Sequence, residues 1–91
     1  MQWQLVFTDQ YQRRALRFIK RHPDAVVQYA KTLELLQINP HHPSLRLHAL
    51  KGRLEGLHSI SFNLKYRITL EMILTEHEII LVNVDDHQQV Y

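Results

Sequence analysis

The spacing of apolar positions along the chain changes twice, and each change marks an element. Trp3-Gln4-Leu5-Val6-Phe7 combines strand-forming residues with partial alternation and predicts an N-terminal strand. The period then lengthens. Tyr11, Ala15, Phe18 and Ile19 fall at i, i+4, i+7 and i+8, the stripe of an amphipathic helix whose arginines take the other side. Thr8 or Asp9 offers a side-chain oxygen to the free N–H groups at its start. His22-Pro23 breaks the helix and restarts it, since Pro23 at a first helical position lacks only an N–H that has no partner there. Val26, Tyr29, Ala30, Leu33 and Leu36 predict the buried stripe of a second helix, ending near Asn39-Pro40.

Residues 39–44 hold two prolines and two histidines and read as a loop. Leu45, Leu47 and Leu50 anchor the connection that follows, and Gly52 and Gly56 bracket a turn. Beyond them the period falls to two. Ile60, Phe62 and Leu64 alternate with Ser59, Ser61 and Asn63, and Tyr66 to Leu74 continue the alternation. Glu76-His77-Glu78 predicts a turn and Ile79 to Val84 a last strand. The order β-α-α-β-β-β implies an α+β fold, two N-terminal helices packed on a mainly antiparallel four-stranded sheet. The helices cover one face. The other is expected to be polar and concave, with Ser59, Ser61, Asn63, Lys65 and Arg67 near it.

Ninety-one residues suit one domain, taken as residues 1–91, of ordinary composition, 45% hydrophobic and 22% charged. The absence of cysteine removes disulfides and thiolate chemistry, and two glycines exclude Rossmann and P-loop phosphate sites. No apolar run approaches a membrane span, and residues 1–7 lack the character of a signal peptide, so a cytoplasmic protein without a membrane partner is expected. The net charge of +2 conceals blocks. Residues 1–22 carry +4, residues 45–67 carry +4, and residues 68–91 carry −5. Two basic blocks suit a polyanion or an acidic protein partner, although a solvated helix surface is the simpler account of the first. His41-His42 have no third ligand at a metal-binding spacing, so no metal or other cofactor is expected.

Across nearly the whole chain, the ordered motifs resemble the RelE/ParE superfamily of toxin–antitoxin toxins, nearest the YafQ, HigB and RelE branches. The segment Pro43–Gly56 (PSLRLHALKGRLEG) resembles its loop-to-strand passage. Ser59-Ile60-Ser61 and Tyr66-Arg67-Ile68 resemble its strand pattern, and Val84-Asp85-Asp86-His87-Gln88-Gln89-Val90-Tyr91 resembles its ending. The resemblance implies a microbial ribonuclease-type fold and a plasmid-stabilising toxin. Such a toxin enters the ribosome and cleaves mRNA without a metal, inhibiting translation until an acidic cognate antitoxin protein covers its basic surface.

Cleavage by the message's own 2′-hydroxyl needs a base, cations for the charge growing on phosphorus, and an acid for the leaving 5′-oxygen. The resemblance assigns catalysis to His48, Arg67, His87 and Tyr91, the tyrosine stacking on a base, and RNA contact to Lys51, Arg53, Ser61 and Lys65. Plainer roles exist for each: His48 bonded to loop backbone, His87 ending a strand, Tyr91 closing the core, Arg67 paired along the sheet. The chain also departs from the pattern. YafQ-like members carry histidine at Ser61 and aspartate at Lys65, and RelE-like members are usually basic near Asp85. A carboxylate 6 Å from the reacting phosphate would cost about 2–3 kcal/mol at an effective dielectric near 20. Two other readings therefore stand beside the nuclease: a ParE-like inhibitor of DNA gyrase, and a catalytically inactive relative that binds only its antitoxin.

Overall fold

A computed structural model describes residues 2–86. Strand β1 (Gln4–Phe7) leads directly into helix α1 (Asp9–Arg21). Thr8 caps that helix: its Oγ1 accepts from the Tyr11 N–H at 3.1 Å. Asp9 in the first turn and Lys20 and Arg21 in the last match the helix dipole. Pro23 disfavours helical backbone at His22, which ends α1 at φ −134° and ψ 63°. A 3-10 turn over Pro23–Ala25 then delivers the chain to helix α2 (Val26–Ile38).

The buried line of α2 differs from the expected one. Val26 is 41% exposed and Ala30 is exposed, whereas Thr32 and Leu36 are buried and Tyr29, Leu33 and Leu35 pack beside them. Apolar residues surround α2 on several sides, so more than one face satisfies the helical period and packing against the sheet selects among them. The Thr32 hydroxyl tolerates burial because it donates to the Gln28 carbonyl at 2.7 Å.

The sheet has five strands rather than four, in the order β1-β5-β4-β3-β2. The addition is β2 (His48–Ala49), two residues paired antiparallel with Ser59 and His58 at the start of β3 (His58–Phe62). Two residues cannot display a period, which is why this strand is invisible in the sequence. Strands β3, β4 (Tyr66–Ile73) and β5 (Glu78–Asp86) form an antiparallel meander, and β1 lies parallel to β5 at the sheet's edge.

One face carries Phe62 beside Tyr66, Ile60 beside Ile68 and Val84, and Leu70 beside Leu81, all buried. Phe18 of α1 meets this face edge-on, with ring centroids 5.0 Å from Tyr66 and 6.1 Å from Phe62. Leu81 and Val84 are three residues apart and would face opposite sides of a regular strand. A register shift resolves the conflict: Thr69 pairs with Asn83 and Leu70 with Leu81, leaving Val82 as a bulge. The bulge returns Val84 to the core and turns Asn83 and Asp85 to the other face.

Candidate active site on the open face of the sheet

Strand register builds the site. On the face away from the helices, His48 lies opposite Ser59, Ser59 opposite Thr69, and Thr69 opposite Asn83. Two residues along, Ser61 lies opposite Arg67 and Arg67 opposite Asp85. These strand spacings put the Cα atoms of His48 and Arg67 about 12 Å apart. Long side chains span much of that gap, enough for one phosphodiester to meet both.

His48 is exposed, and its ring is fixed by the backbone beside it. Nδ1 lies 2.9 Å from the Arg46 carbonyl. A carbonyl oxygen only accepts, so Nδ1 carries the proton, and Nε2 of the neutral ring presents its lone pair outward. Arg46 takes the left-handed conformation, φ 54° and ψ 45°, closing the 3-10 turn Pro43–Leu45 and re-aiming the chain into β2. The plain reading of His48 and the catalytic one thus coincide: the backbone bond orients the ring for proton transfer.

The floor is polar but closed. Ser59 is fully buried and Ser61 is 7% exposed, with Thr69 buried beside them. The Ser59 hydroxyl makes no hydrogen bond. Ser61 therefore shapes the groove from beneath instead of standing at its surface, a correction to its expected place on an open face. Small hydroxyls leave the space above them to Arg46, which lines a neighbouring hollow with Ser61, Asn63 and Leu64.

The two adjacent carboxylates part company. Asp85 faces Arg67 on the open side, and the Asn83 amide donates to it at 3.1 Å. Asp86 lies opposite Tyr66 on the helix side. Only one acid therefore stands beside the guanidinium, where it neutralises part of the positive charge available to a phosphate.

The remaining expected cations are set apart. Lys51 and Arg53 are exposed on the loop that joins β2 to β3, whose 3-10 turn is Gly52–Leu54. That loop is at the other end of β3 from Ser61, which lies about 10 Å along the strand from His58. Lys65 is exposed in the β3–β4 turn, at the near end. The expected catalytic residues His87 and Tyr91 lie outside the described residues. Among the described residues no three histidine or acidic side chains are grouped to hold a metal ion, and no helix is long and apolar enough to cross a membrane.

Sequence reasoning missed a second polar cluster. Arg14, Arg17, Arg21 and His22 of α1 and its cap line a cleft against the end of β5. Their spacing of three and four residues on one helix was the available signal, absorbed there into a solvated surface. Nearby, Tyr11 and Tyr29 join α1 to α2 through hydroxyls 2.8 Å apart. Burial pushes both phenols above their ordinary value, which removes them as proton donors near neutrality.

No protein-family model matches the chain, and no curated protein matches it. Solved structures do. A chain of the RelBE2 toxin–antitoxin complex from Mycobacterium tuberculosis is similar at TM-score 0.71 and 23% identity, over 96% of this chain and 100% of that one. A copper-bound mutant toxin from Helicobacter pylori is similar at TM-score 0.69 and 19% identity, over 98% and 99%. YafQ from Escherichia coli is similar at TM-score 0.68 and 17% identity, over 94% of each chain. Near-complete coverage in both directions shows that this chain shares the fold of these RelE- and YafQ-type toxins.

Proposed function

We propose that the chain is the toxin of a type II toxin–antitoxin pair and acts as a ribosome-dependent mRNA endonuclease. One observation carries the reading: a histidine pinned through Nδ1, with Nε2 directed outward, on the same sheet face as an arginine two strands away. Likeness of fold to a chain of a toxin–antitoxin complex supports the toxin class and an antitoxin partner.

In this reading Nε2 of His48 accepts the 2′-hydroxyl proton as that oxygen attacks the adjacent phosphorus. Arg67 stabilises the charge on the non-bridging oxygens. His87 protonates the leaving 5′-oxygen, and Tyr91 stacks on a neighbouring base. Lys51, Arg53 and Lys65 hold more distant phosphates at the two ends of the site. The strand is left with a 2′,3′-cyclic phosphate, and no metal enters the chemistry.

Induced expression in a bacterium lacking the antitoxin is the test. Growth arrest with discrete breaks in translated mRNA, mapped by primer extension, is the expected outcome. His87→Ala and Tyr91→Ala are expected to abolish the breaks while leaving the thermal transition in place. Arrest with intact mRNA and blocked replication would instead identify a gyrase inhibitor. The pairing of Arg67 with Asp85 favours a further reading, an inactive relative that binds only its antitoxin. Absence of any growth effect from a folded chain would establish it.

A further inference from the structure

The cleft between α1 and the end of β5 lies on the helix side of the sheet and has a volume of about 250 Å3. Its origin is the unequal length of two strands. Strand β1 accompanies β5 only as far as Leu81, so among the described residues the edge of β5 beyond it has no strand neighbour. Helix α1 runs past that edge, and Arg14 donates from Nη1 to the Val82 carbonyl at 2.8 Å. Arg14, Arg17 and Arg21 form one wall, with rises of about 4.5 and 6 Å along the helix axis. The end of β5 forms the other, and Asp86 is the acid that strand register turns to this side. His22 also lines it, its ring 4.8 Å from Phe18 and 4.9 Å from Tyr66.

We propose that this cleft binds one nucleotide of a single-stranded RNA, with a phosphate on the arginine wall and an amino-bearing base edge on the carboxylate wall. The two walls need opposite chemistry from a single ligand. An acidic peptide satisfies the guanidinium groups but is repelled by Asp86. A nucleotide supplies both an anion and N–H donors, and carboxylates accept from the amino group of cytosine. The half-buried His22 ring, backed by two aromatic rings, offers a face for stacking. Cytosine, adenine and guanine carry the amino group that uracil lacks, so a strand rich in them is preferred. The proposal deepens the nuclease reading by naming a subsite, and it rests on that reading only for the choice of RNA as the strand.

Binding is measured by fluorescence anisotropy with 2′-O-methyl oligo(C) and oligo(U) of equal length. These lack the attacking hydroxyl, so binding is read whether or not the chain cleaves RNA. The unmodified chain is expected to bind oligo(C) several-fold more tightly than oligo(U). Arg17→Ala with Arg21→Ala, both at exposed positions, is expected to weaken binding at least tenfold. It is also expected to reduce the slope of log K against log salt by about 1.4, near 0.7 for each lost single-strand phosphate contact. Arg13→Ala with Lys20→Ala removes the same charge from the same helix outside the cleft and is expected to change the slope by less than half as much. Asp86→Ala is expected to bring the oligo(C) to oligo(U) ratio close to one. Equal slopes for the two double variants would overturn the proposal in favour of diffuse attraction. An unchanged ratio in Asp86→Ala would overturn the assignment of the base-reading wall. Binding of an acidic peptide without binding of either oligonucleotide would replace RNA with a protein partner.

Discussion

His48 owes its value to a neighbour it does not choose. The Arg46 carbonyl would hold any histidine at this position in the same tautomer, so the ring needs no carboxylate partner to orient it. His48→Gln keeps a polar side chain but cannot exchange a proton. It is expected to lower mRNA cleavage by about 10²–10⁴-fold, the usual worth of a positioned general base. The thermal transition should not move, because the residue is exposed. Quantified primer extension beside a melting curve checks both halves. The buried tyrosines carry a different prediction. Their ionisation is suppressed in the fold and normal, near pH 10, in the unfolded chain. The stabilisation is therefore whole below about pH 10 and declines as pH rises beyond it, because only the unfolded chain releases the protons. Tyr11→Phe with Tyr29→Phe should flatten that alkaline decline in urea titrations. At this scale the histidine and Arg67 were legible as residue types, and the side each takes was not. Ser61 shows the gap: its place in the strand was readable, but its burial depends on what the Pro43–Leu45 turn and Arg46 place around it.

Elements announced themselves where local chemistry was strong and stayed hidden where packing decides. The Thr8 cap and the His22-Pro23 break appear in the structure as the sequence patterns imply. The buried side of α2 and the two-residue β2 do not follow from period. The bulge at Val82 had a sign, the three-residue step from Leu81 to Val84, which the continuous apolar run from Ile79 to Val82 conceals. The β3–β4 turn stores strain of its own. Asn63 and Leu64 both adopt positive φ, at 55° and 58°, and asparagine tolerates that conformation far better than leucine. Leu64 is 73% exposed and its loss costs little packing. Leu64→Gly is expected to raise stability by about 0.5–1 kcal/mol, seen as a melting temperature several degrees higher in calorimetry. A lower temperature would show that the side chain contributes more than its strained backbone costs.

At the scale of the whole molecule, cohesion runs through a small number of aromatic contacts. Phe18 touches His22, Tyr29, Phe62 and Tyr66, joining both helices to the sheet. Phe18→Ala is expected to cost about 3–5 kcal/mol, a large share of what a domain of this size possesses. Urea denaturation should show the midpoint falling accordingly. The α+β class and order of the long elements were legible because each has its own period. The parallel pairing of β1 with β5 was not, since no local pattern encodes which distant strand a segment will join.

That pairing sets a condition on synthesis. Gln4 must wait for Glu78 and Phe7 for Leu81, so the opening strand has no partner until residues 78–81 have been made. A nascent copy therefore stays open at its margin while the ribosome is still reading its message.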